Sequence, residues 1–321
     1  MATSQPQQKT SLSVIIPTRN GAAALRDLLA MLSQQTISFS EVLVVDSSSD
    51  DDTVAIAGNF GAEVTVIPQA AFDHGGTRTQ MARRAKGDIL LFMTQDAIPA
   101  GKDAVEKLIE PLLSDRSIVV SYGRQLPARD ANPFATHLRL FNYPSESAVR
   151  SLADRGELGL KTVFVSNSFA AYRKRSLADV GFFKNGLIFG EDTCTVGRLL
   201  LQGGRIAYVA DAAVYHSHNY TWFQEFRRSF DIGVLHCTEK WLLDTYGRAE
   251  RHGMRYLYSE LSFLKRRRKL FLFPAYVIRN GLKFLGYQLG RRYKQLPKAV
   301  IAHLSMHGGW WKKSVGAGDA D

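Results

Sequence analysis

The segment "ILLFMTQDAIP" places a carboxylate at the end of an apolar run, where it could bind a metal ion. Five apolar residues at 89–93 lead directly into Thr94, Gln95 and Asp96, so a buried strand is predicted to end on a carboxylate. Two carboxylates spaced Asp-x-Asp at such a place would give a divalent cation two oxygen ligands, but here the first position is Thr94. Asp96 is therefore a candidate metal ligand, and a simple polar strand end is the alternative.

Two further pairs of residues have metal-binding or catalytic potential. The segment "YHSHNY" places His216 and His218 on the same side of an extended chain, and such a pair can bind a metal ion or a phosphate. A single histidine is more often structural. "FGEDTCT" puts Glu191 and Asp192 at a predicted helix start, where a carboxylate can act as a general base. The alternative for this acidic pair is a favourable interaction with the helix dipole.

Two polar loops suit a nucleotide, although the sequence has neither a G-x-G-x-x-G segment after its first strand nor a P-loop lysine. In "VVDSSSDDDT", Asp46 at a strand tip can accept the imide N–H of uracil or thymine, and a solvated turn with a helix cap is the alternative. In "FDHGGTRTQMARRAKG", the paired glycines allow close approach of a ligand and Arg78 can reach a phosphate. The alternative there is a glycine-rich helix entrance with a solvent-facing arginine.

Apolar periodicity predicts the elements that must position these residues. Strands are predicted at 12–18, 41–46, 63–68, 88–96, 117–125, 167–174 and 205–218. Helices are predicted at 22–35, 51–61, 77–87 and 191–204. The alternation predicts an α/β fold with a doubly wound, mostly parallel sheet and helices on both faces. Ligands of such sheets bind beyond the C-terminal strand ends, so Pro17, Asp46 and Asp96 are expected at one edge, and Pro99 is expected to stop the chain there.

The net charge of +11 is confined to the last third of the 321-residue chain. Residues 1–220 contain 22 Lys+Arg and 22 Asp+Glu, whereas residues 221–321 contain 19 Lys+Arg and 8 Asp+Glu. We therefore predict an α/β domain over 1–220 and a basic α-helical region over 221–321. An excess of this kind points to an anionic partner, either nucleic acid or an acidic membrane face.

The basic run in the C-terminal region consists of Lys265, Arg266, Arg267, Arg268 and Lys269. Apolar and aromatic residues follow it and alternate with Arg and Lys at roughly helical spacing, which suits an interfacial helix on anionic headgroups. Nucleic acid is the weaker interpretation because no recognised binding motif is present, and an ordinary basic helical domain is the alternative. We expect no secretory signal and no spanning helix, since the N-terminus is polar and no uncharged apolar run reaches the required ~18 residues.

The order of the segments is more specific than any one of them. "SVIIPTRN", "VVDSSSDDDT", "FDHGGTR", "TQDA", "SNSFAAYRK", "GED" and "YHSHNYTW" follow one another from residue 12 to about residue 225. In this order they resemble the inverting family 2 glycosyltransferases with the GT-A fold. Within that family they resemble the bacterial rhamnosyltransferase branch, in which "FDHGGTR" and "TQDA" are typical and the departure at Thr94 is shared. The basic C-terminal region resembles the membrane-associated tail of that branch.

The resemblance implies a role for each matching residue. Donor-nucleotide contacts are expected from Pro17, Thr18, Asn20, Asp46, Asp73, Gly76, Arg78 and Gln95. Acceptor positioning is expected from Asn167 and Trp222. Asp96, with His216 or His218, would bind the Mg²⁺ or Mn²⁺ that bridges the donor diphosphate. Asp192 would be the general base, with Glu191 beside it.

The implied reaction transfers L-rhamnose with inversion from deoxythymidine-diphosphate (dTDP) β-L-rhamnose to a hydroxyl of a lipid-linked glycan, in O-antigen or cell-surface polysaccharide synthesis. The expected partners are this dTDP-sugar donor, a polyprenyl-diphosphate-linked glycan acceptor and the anionic inner face of the bacterial plasma membrane, with no nucleic acid. A cytoplasmic, peripherally membrane-bound protein is expected. The alternatives are a uridine-diphosphate hexose donor and a non-catalytic membrane-binding scaffold. A thymidylyltransferase is disfavoured because "PTRNGAAAL" lacks a glycine-rich loop with Lys or Arg.

Overall fold

The computed structural model describes residues 10–247 and 250–316, and within them the centre is a nine-stranded sheet. The strands are β1 (Leu12–Thr18), β2 (Glu41–Asp46), β3 (Glu63–Val66), β4 (Ile89–Met93), β5 (Ile98–Pro99), β6 (Ile118–Leu126), β7 (Ala148–Arg150), β8 (Phe169–Arg173) and β9 (Arg205–Tyr215). Their order is β3-β2-β1-β4-β8-β6-β9-β5, and β7 also pairs with β9. Strands β1, β2, β3, β4, β6 and β9 run in one direction, and β5, β7 and β8 run in the other. The predicted mostly parallel sheet is therefore confirmed.

Helices cover both faces of this sheet. They are α1 (Ala22–Leu32), α2 (Thr53–Asn59), α3 (His74–Arg84), α4 (Ala104–Ser114), α5 (Pro133–Asn142), α6 (Arg155–Leu158), α7 (Lys174–Asp179), α8 (Glu191–Leu201), α9 (Trp222–Thr238), α10 (Lys240–Tyr246), α11 (Glu250–Arg266), α12 (Phe273–Arg291), α13 (Lys298–Leu304) and α14 (Gly308–Gly316). One hydrophobic cluster joins the sheet to α1, α2 and α4, and another joins it to α3, α8 and α9.

Strand β4 shows why the first strands are continuous apolar runs in the sequence. Leu90 and Phe92 belong to the cluster on one face of the sheet, whereas Leu91 and Met93 belong to the cluster on the other face. A strand covered by helices on both faces needs apolar residues at every position, in place of the alternation of a half-exposed strand. This burial holds the strand end, and hence the loop after it, in a fixed place.

The C-terminal region is packed onto the same core and does not form a separate body. Phe230 of α9, Leu242 of α10 and Trp311 of α14 belong to one hydrophobic cluster with Ile15 of β1. The later helices therefore help to cover the sheet, and the domain boundary expected at residue 220 stays a prediction. Among the helices that the structure describes, none combines the length and the apolar character that crossing a bilayer requires.

Two local predictions were wrong. Pro99 does not stop the chain, because Ile98–Pro99 form a short strand that pairs antiparallel with Val214 and Tyr215 of β9. Helix α3 begins at His74, earlier than the expected start at residue 77. The cause is an N-cap at Asp73, whose side chain accepts a hydrogen bond from the backbone of the next turn.

Candidate active site

The C-terminal ends of the parallel strands bring the candidate residues together along one edge of the sheet, as expected. Asp46 ends β2, Asp96 follows β4 and His216 follows β9. Because β8 runs in the opposite direction, Asn167 and Ser168, which precede it, lie at the same edge. Two side-chain clusters form there, one around Asp96 and one at the start of α8.

We call Asp96, His216 and His218 the open cluster, since the side chains of Asp96 and His218 are 37% and 39% exposed. His216 Nδ1 lies 3.4 Å from Asp96 Oδ1, and His218 Nε2 lies 3.8 Å from Asp96 Oδ2. One ligand atom from each residue lies within 4.8 Å of the others. The sequence left the choice of histidine open, and the structure brings both to the carboxylate.

The chemistry of the open cluster fits a divalent cation. His216 is buried, its Nε2 lies 3.2 Å from Ser168 Oγ, and its Nδ1 has no hydrogen-bond partner although it is buried. Burial lowers the pKa of His216 to about 4 in spite of the nearby Asp96 charge, and it lowers the pKa of His218 as well. Both imidazoles are therefore neutral at pH 7, which is the form that binds metals.

Thr94 and Gln95 lie next to the open cluster, and the donor contact of Gln95 stays a prediction. The Thr94 hydroxyl is buried without a hydrogen-bond partner. The Gln95 amide forms two hydrogen bonds with the backbone of Arg19, accepting from its N–H at 3.0 Å and donating to its carbonyl at 3.1 Å. Gln95, expected as a donor contact, thus joins the loop after β1 to the loop after β4.

We call Arg78, Asn167, Glu191 and Asp192 the closed cluster. Arg78 Nη1 lies 3.1 Å from Glu191 Oε1, and their side chains are only 7% and 6% exposed. Burial alone would raise the pKa of Glu191, but the charges of Arg78 and His74 outweigh burial and the pKa is lowered. The alternative of a solvent-facing arginine was wrong, because Arg78 is buried beside the Glu191 carboxylate, and its contact with a phosphate stays a prediction.

Asp192, the other carboxylate of the closed cluster, is less buried than its neighbour. Its Oδ1 accepts a hydrogen bond of 2.7 Å from the backbone of Thr193, and its Oδ2 accepts a longer one of 3.4 Å from the backbone of Asn167. Burial and, after it, the negative charge of Glu191 raise the pKa of Asp192 to about 6. Asp192 can therefore take up a proton near neutral pH, whereas Glu191 stays ionised.

Consecutive residues before β8 join the two clusters. Asn167 donates to Glu191 Oε1 through its amide at 3.3 Å, and Tyr172 donates a 2.7 Å hydrogen bond to Asn167 Oδ1, which fixes the amide orientation. Ser168 contacts His216. Because neighbouring Cα atoms are about 3.8 Å apart, the acidic pair lies close to the open cluster. The sequence analysis missed Ser168 and Tyr172, although the polar "SNS" before an apolar strand was a signal.

The expected donor residues of the first two strands also lie at this edge. Asp46 is fully buried and accepts hydrogen bonds from the Thr18 hydroxyl at 3.0 Å and from the Ser49 backbone at 2.7 Å. Asn20, with a positive φ of 44°, accepts a 2.9 Å hydrogen bond from the backbone of Asp50. These bonds connect the loops after β1 and β2, and the nucleotide contacts of Pro17, Thr18, Asn20 and Asp46 stay predictions.

The loop before α8 is held against the start of α3. Asp73 accepts hydrogen bonds from the backbone of Gly76 at 2.6 Å and of Gly186 at 3.1 Å. A Cβ at Gly75 would lie 1.9 Å from the Lys184 carbonyl oxygen, so only glycine permits this approach. "FDHGGTR" thus positions the closed cluster, and the donor contacts of Asp73 and Gly76 stay predictions.

The remaining predicted residues lie farther along the chain. Trp222, the first residue of α9, is 44% exposed. In the basic run at the end of α11, Lys265 to Arg268 are exposed and Lys269 is half-buried. Exposed large apolar side chains lie on α11, on α12 and in the segment between them, and we call them the apolar face. They are Met254, Tyr258, Leu270, Phe271, Phe273, Val277, Ile278, Phe284 and Leu285.

Comparison with known proteins defines the class. Residues 13–181 match the family model described as Glycosyl transferase family 2. The mannosyltransferase PcManGT from Pyrobaculum calidifontis, solved in complex with GDP-Man and Mn²⁺, has a TM-score of 0.61 at 16% identity, covering 90% of this chain and 88% of that chain. The predicted GT-A glycosyltransferase fold is confirmed.

Two curated relatives cover almost the whole chain. The chain is 41% identical to the O-antigen chain rhamnosyltransferase WbaN of Salmonella anatum over 303 residues, which are 94% of this chain and 96% of that protein. It is 40% identical to the O-antigen chain rhamnosyltransferase RfbN of Salmonella typhimurium (strain LT2) over 302 residues, with the same coverage. The chain belongs to glycosyltransferase family 2.

Proposed function

We propose that this protein is an inverting rhamnosyltransferase of O-antigen synthesis, which transfers L-rhamnose from dTDP-β-L-rhamnose to a hydroxyl of a lipid-linked glycan. Two relatives that match 94% of the chain have the name O-antigen chain rhamnosyltransferase. The geometric support is the meeting of the two clusters at Asn167 and Ser168, which puts a candidate base beside a candidate diphosphate–metal site.

Asp192 is the proposed general base. It would take the proton from the acceptor hydroxyl as this oxygen attacks the anomeric carbon from the face opposite the diphosphate, so the configuration inverts. A carboxylate with a pKa raised to about 6 is ionised at pH 7 and still basic enough for this step. Glu191, held by Arg78, supplies part of the negative charge that raises this pKa.

Asp96, His216 and His218 are the proposed holders of a divalent cation. Two imidazoles and one carboxylate suit Mn²⁺ better than Mg²⁺, because Mg²⁺ prefers oxygen ligands alone. Such a cation, when bound, neutralises the charge that develops on the departing diphosphate. We assign the nucleobase and ribose to Thr18 and Asp46, at the ends of β1 and β2.

The apolar face and the basic run are the proposed membrane-binding surface. Exposed residues of α12 such as Phe273, Val277 and Phe284 recur at spacings of four and seven, so they share one side of the helix. Cationic side chains beside an exposed apolar stripe suit an anionic bilayer surface. This surface would hold the cleft near a polyprenyl-diphosphate-linked acceptor.

The proposal is tested by donor binding and hydrolysis. We would compare dTDP-β-L-rhamnose with uridine-diphosphate glucose and galactose, each with Mn²⁺ or EDTA, for the wild type, Asp96→Ala and the surface control Asp27→Ala. Selective Mn²⁺-dependent binding of the rhamnose donor, lost only in Asp96→Ala, is expected. Preference for a uridine donor would transfer the assignment to a hexosyltransferase. Absence of binding to every donor would favour the non-catalytic scaffold.

A further inference from the structure

Two arginines near the open cluster have no role in the site described so far. Arg139 lies on α5, and its Nε is buried without a hydrogen-bond partner. Arg228 lies on α9 and is exposed. Neither forms a salt bridge with a carboxylate in the described parts of the chain.

Both arginines belong to the wall that carries the open cluster. The Arg228 guanidinium lies 5.8 Å from the ring centroid of Tyr220, and this ring lies 5.3 Å from that of His218. Arg139 is close enough to Asp96, Tyr220 and Arg228 for their charges to act on its own pKa. The two guanidinium groups therefore flank the cluster on the side of α5 and α9.

The position of α5 relative to the histidine segment is fixed. The backbone N–H of Asn132, the N-cap of α5, donates a 2.8 Å hydrogen bond to Asn219 Oδ1. The Asn219 amide donates in turn to the backbone carbonyl of Asp130 at 2.9 Å. These bonds fix the start of α5, the helix that carries Arg139, beside the histidine segment.

The charge of this wall is unbalanced. The buried Arg78 and Arg279 each pair with a glutamate, at 3.1 Å and 2.5 Å. The charge of Asp96 acts on Arg139, and the charge of Arg228 acts on Asp231, but neither arginine forms a salt bridge with these carboxylates in the described residues. The positive charge of Arg228 adds to burial in lowering the pKa of Arg139. A partly buried charge without a counterion is costly, and a divalent cation at Asp96 would increase the positive excess. An anion bound to the two guanidinium groups would offset this positive excess.

We propose that Arg139 and Arg228 form a subsite for a phosphate group of the acceptor. Guanidinium groups are the preferred partners of phosphate, since they bind its oxygens through two parallel hydrogen bonds. This inference rests on the proposed function, and it adds that the enzyme recognises the lipid-linked diphosphate of its acceptor as well as the glycan.

The location favours the acceptor over the donor. The nucleotide is assigned to the ends of β1 and β2, whereas α5 contacts β6 and α9 follows β9, on the other side of the open cluster. Helix α5 also packs against α11 through Phe134, Phe263 and Leu264, and α11 carries part of the apolar face. The helix that carries Arg139 thus packs on a helix of the proposed membrane-binding surface, which suits a contact with the diphosphate of a lipid-linked acceptor.

The test uses farnesyl diphosphate as the probe and farnesol as its phosphate-free counterpart. Binding is measured by calorimetry on the full chain, with the donor site first saturated by dTDP and Mn²⁺. The variants are Arg139→Gln, Arg228→Gln and the charge-conserving Arg139→Lys. Arg227→Gln is the matched control, because this neighbouring arginine is directed to the Phe223 ring and the His303 carbonyl.

We expect each Gln variant to weaken farnesyl diphosphate binding at least tenfold, Arg139→Lys to weaken it less, and Arg227→Gln to leave it unchanged. Binding of farnesol and of dTDP is expected to change less than twofold in every variant. Displacement of farnesyl diphosphate by dTDP, or an equal loss of dTDP affinity, would assign the arginines to the donor and overturn the proposal. Unchanged binding in both Gln variants would also overturn it. Failure of the proposed function is distinguishable from failure of this subsite, because in that case the wild-type protein would not bind dTDP-rhamnose.

Discussion

The closed cluster and the open cluster both contain carboxylates beside nitrogen-bearing side chains, but they differ in whether the protein itself satisfies these groups. In the closed cluster, Arg78 and the Asn167 amide satisfy Glu191, and its members are buried together. In the open cluster, Asp96 faces two neutral histidines at 3.4 Å and 3.8 Å, and the buried Nδ1 of His216 has no hydrogen-bond partner. In the first cluster Glu191 has protein partners, whereas in the second a buried ring nitrogen is oriented so that a cation could engage it. The proposed proton transfer would thus use a preorganised group, and the proposed stabilisation of the leaving group would depend on a bound cation.

The largest effect is expected on turnover, from a substitution of Asp192 in the closed cluster. Asp192→Asn removes the base but keeps the shape, so turnover should fall by ~10²–10⁴-fold while donor affinity and melting temperature stay close to those of the wild type. Initial rates of rhamnose transfer and dTDP-rhamnose binding measure this. Turnover within threefold of the wild type would reject Asp192 as the base.

A stability measurement contrasts the clusters directly. Glu191→Gln leaves Arg78 buried without a counterion and should lower the free energy of unfolding by about 3–5 kcal/mol. Asp96→Asn, the matched change in the open cluster, should lower it by less than about 0.5 kcal/mol, because Asp96 is partly exposed and its two histidine neighbours are neutral at pH 7. Urea denaturation without metal gives both values. Equal losses would show that the open cluster is also a structural element.

The pKa values in the two clusters predict how kcat/KM depends on pH. The base must be unprotonated, so kcat/KM should rise about tenfold per pH unit below pH 6 and level off above it, since the pKa of Asp192 is raised to about 6. His216 titrates at about pH 4, below this window. Asp96→Asn should lower the plateau and leave the inflection in place. A flat profile between pH 5 and pH 7 would contradict the base assignment.

The smallest expected effect concerns the membrane. Phe271→Ser or Phe284→Ser should weaken binding to anionic vesicles by about tenfold, because each removes an exposed aromatic side chain from the apolar face. Leu113→Ser on α4, which also removes an exposed apolar side chain but lies outside that face, is the control. Vesicle co-sedimentation measures the difference. Truncation near residue 255 is a poorer test, because it would also remove Trp311 from the core.

Most of the sheet, and the candidate residues that gather at one of its edges, were accessible from the sequence. Strands buried on both faces leave continuous apolar runs, and the polar residues that end them, such as Asp46 and Asp96, stand out. Contacts between distant segments were not accessible. Nothing in the sequence pairs Arg78 with Glu191 more than a hundred residues later, or places Arg139 near Asp96. An arginine has the same appearance in a sequence whether it faces a phosphate or a buried carboxylate.

The sequence by itself determined the α/β alternation, the family resemblance and the basic C-terminal third, because these depend on local periodicity, motif order and composition. Only the tertiary structure shows that Glu191, and not Asp192, is the ion-pair partner of Arg78, since this depends on where Arg78 and Asn167 pack. Both histidines lie beside Asp96 because the ends of β9 and β4 are at the same edge of the sheet. Contacts between residues that are far apart in the chain arise when the elements pack together, and local sequence patterns do not specify them.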